Sequence, residues 1–176
     1  MNSLNRKFEH AGKAASAQCL SEAFDSVARR VLANGFNRVN ADEGTLWIAN
    51  LKGQVLIPIF NSGPNAADFV TNVRQPLARG VVSMVYHSGQ PFCENEVTKN
   101  ASHDKTIDKA MHQVTAAMIA VPFFFANHAR GVISCVKLEK GQFEVRDLDE
   151  LQHSAIVLER LIDCQLMESI RESEEE

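Results

Sequence analysis

Two long apolar segments in the second half of the chain constrain its fold more than any other feature. Met118 to Phe125 and Val132 to Leu138 are almost continuous runs of aliphatic and aromatic residues, and the polar residues 127–131 separate them. Runs of this kind are typical of buried strands. Because a connection of about five residues joins neighbouring antiparallel strands, the fold must contain an antiparallel sheet.

A second pair of strands and two long helices flank this hairpin. Glu43 to Ala49 and Val55 to Phe60 form the first predicted hairpin. Apolar periodicity predicts one amphipathic helix from Leu4 to Leu32, which Asn34 and Gly35 would cap, and another from Val145 to Ile170. The last helix has an apolar stripe in heptad spacing, made of Leu148, Leu151, Ala155, Leu158 and Ile162.

The middle of the chain alternates short apolar segments with polar ones. Ala66 to Val73 and Leu77 to His87 predict short helices, and Phe92 to Asn95 predicts a brief strand. The polar stretch Glu96 to Asp104 predicts a mobile lid, and a helical piece follows it through His112. The order of elements predicts an α+β fold: an antiparallel sheet with the terminal helices on one face and the middle segments roofing a pocket on the other.

Charge excludes one class of partner. Asp and Glu total 22 against 18 Lys and Arg, and residues 168–176 hold five of those acids and one Arg. The remaining 167 residues therefore carry 17 charges of each sign. Since nucleic-acid binding requires clustered Lys and Arg, we expect no nucleic-acid partner.

The apolar run lengths and the cysteine spacing indicate the cellular compartment of the protein. The longest apolar run, Ala116 to Ala126, is too short for the roughly 20 residues that cross a bilayer, and the N-terminus lacks a secretion signal. Cys19, Cys93, Cys135 and Cys164 are widely spaced, which favours buried free thiols over disulfides or a zinc site. We therefore expect a cytoplasmic protein with no membrane partner.

Four phrases, in this order and spacing, carry a resemblance to a known family. They are Ala41 to Ile48, Leu77 to Pro91, Met118 to Phe123 and Arg130 to Ile133. Together they resemble the GAF domain, a small-molecule sensing module of signalling proteins.

The resemblance covers Ser21 to Leu166 and divides the chain. It implies a GAF-like domain over 21–166, preceded by a helical extension over 1–20 and followed by an acidic helical linker or tail over 167–176. The tail resembles linkers that precede further domains in sensor kinases and cyclic-di-GMP enzymes. A fragment of such a receptor is one interpretation of this tail, which the sequence leaves open.

The resemblance also implies pocket positions. Thr45 corresponds to a hydroxyl residue on the first strand, Phe60 to an aromatic residue that stacks on a base, and Thr115 to a hydroxyl before the long strand. Asn61 stands where cyclic-nucleotide-binding members have an acid that reads guanine. Val82 and His112 complete the expected ligand-binding set. Ordinary sheet packing is an open alternative for Thr45 and Phe60.

A cyclic-nucleotide signature is only partly present. Lys137, Phe143 and Asp147 match it, whereas Val136 and Leu148 replace its Asn and Glu. The family pattern implies a structural salt bridge between Lys137 and Asp147 rather than a ligand contact.

Metal and thiol chemistry are weaker alternatives. Among the histidines near the expected roof, no pair has the i, i+4 spacing of helical metal ligands; they are His87, His103, His112 and His128. A bilin or a redox reaction would rest on Cys93, but the phytochrome-type Cys-His phrase is absent. The free methionine sulfoxide reductases share the GAF fold and need several cysteines around one pocket. We expect no catalytic residues and no metal, and the sequence leaves the cofactor unknown.

The expected function is therefore sensory and regulatory. A small molecule would bind between sheet and roof, and the terminal helices would transmit its presence across a homodimer, with a downstream signalling domain as a further partner. A structural dimerisation module is the first alternative, with a pocket filled by Phe60, Phe92 and the phenylalanines of 123–125. A thiol-based methionine sulfoxide reductase is the second.

Overall fold

A computed structural model describes residues 6–10, 24 and 26–175 of the chain, with the side chains of 169 and 172–175 left out. Residues 6–10 are helical. The helices are α1 (Ser26–Arg38), α2 (Ala66–Asn72), α3 (Val81–Ser88), α4 (Thr106–Ala110) and α5 (Val145–Glu175), with a 3-10 turn at Val97–Lys99. The strands are β1 (Glu43–Asn50), β2 (Val55–Asn61), β3 (Gln75–Pro76), β4 (Phe92–Glu94), β5 (Thr115–Phe125) and β6 (His128–Leu138).

The six strands form one antiparallel sheet in the order β3-β2-β1-β6-β5-β4. The predicted α+β fold is confirmed, and both predicted hairpins pair as expected. The second hairpin is tighter than predicted, because Ala126 and Asn127 alone connect β5 to β6. Both have positive φ angles, 47° and 63°, as a two-residue type I′ turn requires.

The two long helices cover one face of this sheet. Leu46 and Ile48 of β1, Ile119 of β5 and Ile133 of β6 point toward α1 and α5 and are fully buried. The predicted apolar stripe of α5 packs on the same cluster, with Leu151, Ala155, Leu158 and Ile162 buried and Leu148 at its margin. The stripe therefore covers the domain's own sheet.

The predicted end of the first helix is wrong. Much of the helix predicted from Leu4 to Leu32 lies outside the described residues, but α1 runs through Asn34 and Gly35 to Arg38. A Cβ at Gly35 would lie 2.4 Å from the Ser154 Oγ of α5. Gly35 is therefore explained by close packing of two helices rather than by a helix cap.

The other sheet face is covered by α2, α3 and the segment between β4 and β5. A second apolar cluster lies there, built around Trp47, Leu56, Phe69, Val82 and Met118. Val97, at the start of the polar segment predicted as a lid, is fully buried in this cluster. This end of the segment is therefore anchored in the core.

Candidate functional site

A cavity of about 50 Å³ lies between the sheet and the segments that roof it. Its floor comes from β1, β5 and β6, and its roof from the start of α3 and from residues 103–113. The lining is partly apolar and partly polar. Its polar side chains are those of Glu43, Thr45, Gln75, His103, Asp104, Asp108, Gln113, Thr115 and Ser134.

A β-bulge decides which face of β2 meets this cavity. Trp47 pairs with Pro58 and Leu46 with Phe60, so Ile59 is an extra residue in β2. Because side chains alternate along a strand, one extra residue moves those after it to the opposite face. The bulge therefore places Asn61 on the cavity side beside Thr45, and Phe60 on the helix side.

Phe60 packs among the aromatic residues of the helix face. Its ring centroid lies 5.6 Å from that of Phe24 and 6.1 Å from that of Phe36, and the Arg29 guanidinium lies 5.7 Å from it. The structure thus separates Phe60 from the cavity, where the resemblance implied an aromatic residue that stacks on a base.

Asn61 links the first two strands to the cavity wall. Its Nδ2 donates to Thr45 Oγ1 at 3.0 Å, and its Oδ1 accepts from the backbone N–H of Gly63 at 2.8 Å. The backbone bond fixes the orientation of the amide. Burial raises the pKa of the neighbouring Glu43 carboxyl, which a hydrogen bond from Asn61 partly offsets. The three side chains form one buried polar group at the cavity edge.

Asp108 fastens the roof to the floor. Its Oδ1 accepts from the Thr115 hydroxyl at 2.7 Å, and its Oδ2 accepts from the Thr115 backbone N–H and lies 3.1 Å from His103 Nε2. Burial acts to raise the pKa of Asp108, but hydrogen bonds from His103 and Thr115 outweigh it and the pKa is lowered. Asp108 is therefore held ionised between roof and sheet.

Asp104 makes a second roof contact. Its Oδ2 lies 2.8 Å from Arg79 Nε, on the loop that leads into α3. Asp104 is mostly buried, whereas the Arg79 side chain is 60% exposed. An open cleft of about 510 Å³ lies outside this pair, and His103 and Asp104 line both it and the cavity. The Arg79–Asp104 pair therefore lies where the roof separates cavity from cleft.

Aromatic residues complete the wall. The Trp47 indole Nε1 donates to Ser134 Oγ at 2.9 Å, and its ring meets Phe69 edge to face at 5.6 Å between centroids. Trp47 is the sole tryptophan of the sequence. Its fluorescence can therefore report directly on this cavity.

The structure brings three of the six predicted site residues together. Thr45, Val82 and Thr115 line the cavity, and Asn61 lies just behind Thr45. His112 lies in a separate surface groove, because α4 ends at Ala110 and His112 has a left-handed φ of 53°. Ligand contact by these residues stays a prediction.

The acidic lining residues were missed by the sequence reasoning. Asp104 ends the polar stretch predicted as a lid, and Asp108 lies in the helical piece predicted to follow it. Glu43 is the first residue of an otherwise mostly apolar strand, where a charged residue is unusual. Both signals are in the sequence, but neither by itself indicates a cavity.

Lys137 and Asp147 have different partners in the structure, contrary to the implied salt bridge. The Lys137 ammonium donates to the carbonyl of Asn40 and lies 5.2 Å from the centre of the Phe143 ring. Asp147 accepts from the backbone N–H of Glu144 at 2.7 Å, at the start of α5. Each residue fixes the local chain path instead.

The three cysteines in the described part of the chain lie away from the cavity. Cys93 and Cys135 both pair with Ile119, from opposite sides. They are therefore two strand spacings apart, roughly 10 Å, beyond disulfide reach. Burial raises the pKa of both thiols, and Cys164 is exposed on α5. Cys19 lies outside the described residues.

Metal ligation and membrane insertion find no support in the described ranges. No group of three or more His, Cys, Asp or Glu residues in those ranges is arranged to hold a metal ion. None of the helices there has both the length and the apolar character needed to cross a bilayer.

Solved structures share this fold at low sequence identity. The GAF domains of phosphoenolpyruvate-protein phosphotransferases from Acinetobacter and Coxiella burnetii are 14% and 17% identical, each with 90% of both chains covered, and have TM-scores of 0.63 and 0.66. A free methionine-R-sulfoxide reductase from Neisseria meningitidis, solved with its substrate, is 17% identical, with 95% of this chain and 89% of that chain covered and a TM-score of 0.61.

A family model described as the GAF domain matches residues 21–163. No curated protein matches the chain. The family match spans most of the sequence and agrees with the sheet order, the two terminal helices and the roofed cavity. The chain therefore belongs to the GAF domain family.

Proposed function

We propose that this protein is a non-catalytic sensory domain that binds a small molecule in the cavity and transmits its presence through α1 and α5. The observation that carries the proposal is the cavity itself, a small polar and aromatic space closed by the Asp108–Thr115 and Arg79–Asp104 contacts. A roof held by a few polar contacts can open to admit a ligand and close over it.

The sheet is a direct route from cavity to helices. Thr45 and Ser134 line the cavity, while their strand neighbours Leu46, Ile133 and Cys135 pack on the helix side. A shift of β1 or β6 therefore moves both faces at once. Signalling further requires that the ligand bind one helix arrangement more tightly than another.

Helix α5 is also tied to the sheet by two hydrogen bonds. Glu159 Oε1 accepts from the backbone N–H of Phe124 at 2.8 Å, and Asp163 Oδ1 accepts from that of Ala126 at 2.9 Å. Phe124 lies near the end of β5, which has Thr115 at its other end, and Ala126 follows this strand directly. A displacement of β5 would thus act on the middle of α5.

A homodimer through the helices fits their exposed surface. Ile156 and Val157 of α5 are 51% and 53% exposed, and Val27 of α1 is 42% exposed. A second copy would remove these side chains from water. The continuation of α5 to Glu175 would connect the dimer to a downstream domain, as in a sensor kinase or a cyclic-di-GMP enzyme.

The two alternatives are less well supported. Of the phenylalanines expected to fill the pocket, Phe60, Phe123 and Phe125 pack on the helix face. Phe92 packs against the roof-side cluster but does not line the cavity. A thiol-based reductase would need cysteines at the cavity, and none of the described cysteines lines it. The unpaired state of these cysteines also fits the reducing cytoplasm, where we place the protein.

Trp47 fluorescence provides the test. Titration with a panel of nucleotides, amino acids, amines and organic acids should give a saturable change for at least one compound. Val82→Phe, which fills the cavity, should abolish it. Met84→Phe adds the same ring on an exposed side of α3 and should leave binding unchanged. The absence of any saturable response would contradict the proposal.

A further inference from the structure

Charge balance in the cavity points to the kind of ligand it takes. Three carboxylates line the cavity, those of Glu43, Asp104 and Asp108. Arg79 pairs with Asp104 at 2.8 Å, and His103 lies 3.1 Å from Asp108. Within the described residues, no basic side chain pairs with Glu43. Of the three, Glu43 is the carboxyl group with no basic side chain beside it in the described part of the chain.

The surroundings of Glu43 hold this carboxyl group in place. Its side chain is buried, with 6% of the residue exposed, and the Asn61 amide is its hydrogen-bond partner. On its other side lies the backbone of Gly63, where an added Cβ would be 2.5 Å from the Glu43 carboxyl carbon. Asp42 adds a further negative charge nearby. Burial and Asp42 both disfavour the ionised form of Glu43, and a cationic ligand beside the carboxylate would stabilise that form.

The aromatic wall favours an organic cation over a metal ion. Trp47 and Phe69 line the same cavity as Glu43. Aromatic faces attract ammonium groups, and they also pack against the carbon atoms attached to them. The Thr115 hydroxyl, which donates to Asp108, keeps free lone pairs that can accept from an ammonium N–H.

We infer that the cavity binds a small primary ammonium compound, with the ammonium on Glu43 and its carbon atoms against Trp47 and Phe69. This inference rests on the proposed function and names the ligand class of the same site. The space of about 50 Å³ accommodates roughly four water molecules, so the ligand has about four or five non-hydrogen atoms. Larger amines would need the roof to open.

Ethanolamine, ethylene glycol and glycolate test this inference as probes of nearly equal size and different charge. We expect saturable quenching or enhancement of Trp47 fluorescence by ethanolamine, with at least tenfold tighter binding than ethylene glycol and no response to glycolate. Glu43→Gln removes the charge with little change in shape and should weaken ethanolamine binding at least tenfold. Glu144→Gln, an equal change of charge at an exposed position, should leave it unchanged.

A measurement on the unaltered protein covers the case in which the Glu43 variant does not fold. Ethanolamine binding should weaken as the pH is lowered and Glu43 becomes protonated, while the weaker binding of ethylene glycol should change little over the same range. Equal affinity for the two probes at all pH values would overturn the inference.

The remaining outcomes separate this inference from the proposed function. Tight binding of glycolate or of another anion overturns the ammonium class but leaves a ligand-binding domain. A response to Mg²⁺ or Ca²⁺ with none to ethanolamine likewise overturns it. Failure of every compound in the wider panel overturns both.

Discussion

Asp108 accepts two hydrogen bonds from Thr115, one from its hydroxyl and one from its backbone N–H. A single carboxylate of the roof is thereby bound to the first residue of β5, one of the two longest strands. The cavity is closed by polar contacts that water can replace, whereas the sheet beneath it is held by apolar packing. The protein thus combines a floor held by apolar packing with a roof held by polar contacts.

Replacing Thr115 with Val should loosen the roof. The hydroxyl bond to a charged group is lost while the shape of the side chain is kept, which we expect to cost about 2 kcal/mol of unfolding free energy. Chemical denaturation measures this cost, and amide hydrogen exchange over residues 105–114 should become faster. Thr71→Val, at an exposed site on α2, should change stability by less than about 0.5 kcal/mol. Equal effects of the two variants would argue against the Asp108 contact.

The carboxyl group of Glu159 makes stability depend on pH. Burial raises its pKa from 4.5 to about 7 in the folded protein. The folded state therefore binds more protons than the unfolded state between these values, and stability should fall as the pH rises from about 4.5 to 7. Asp163, whose pKa burial also raises, acts in the same direction.

Glu159→Gln tests this dependence, since the amide oxygen can still accept from Phe124. The variant should be more stable than the wild type at pH 8, and its advantage should shrink toward pH 5. Thermal unfolding across this range measures the difference. Glu168→Gln, on the exposed surface of the same helix, should show the same dependence of stability on pH as the wild type. If the stability of Glu159→Gln depended on pH as that of the wild type does, the raised pKa of Glu159 would be contradicted.

Close contact between α1 and α5 should make Gly35→Ala destabilising. The new methyl group would overlap Ser154, and we expect a net cost of about 1 to 2 kcal/mol although Ala is the better helix former. The double variant Gly35→Ala with Ser154→Gly should be less destabilised than the sum of the two single variants. If the changes in unfolding free energy of the two single variants simply added in the double variant, the two positions would not be in contact.

The exposed apolar side chains of α5 should mediate dimer formation. Ile156→Lys should shift the protein toward the monomer in sedimentation velocity, because a charge would be buried at the interface. Thr71→Lys, on the opposite side of the sheet, should leave the distribution unchanged. A wild type that is monomeric at all concentrations would contradict the dimer.

Apolar patterning predicted the sheet and its helices because both are set by local periodicity. The pocket positions came from the family resemblance instead, and of these Thr45 and Thr115 line the cavity. The resemblance also implied Phe60 there, whereas the bulge in β2, an irregularity of pairing that only the partner strand reveals, puts this side chain on the helix face. The pattern also predicted that Gly35 caps the first helix. Gly35 is instead required by close contact with Ser154, which lies on another helix and 119 residues later in the chain.

Trp47 fluorescence in the wild type and in Val82→Phe, titrated with the metabolite panel, tests the central claim most directly. The account predicts a saturable signal from at least one compound in the wild type, its loss in Val82→Phe and its retention in Met84→Phe. A panel without response, or a response that Val82→Phe leaves unchanged, would contradict a ligand site between the sheet and its roof.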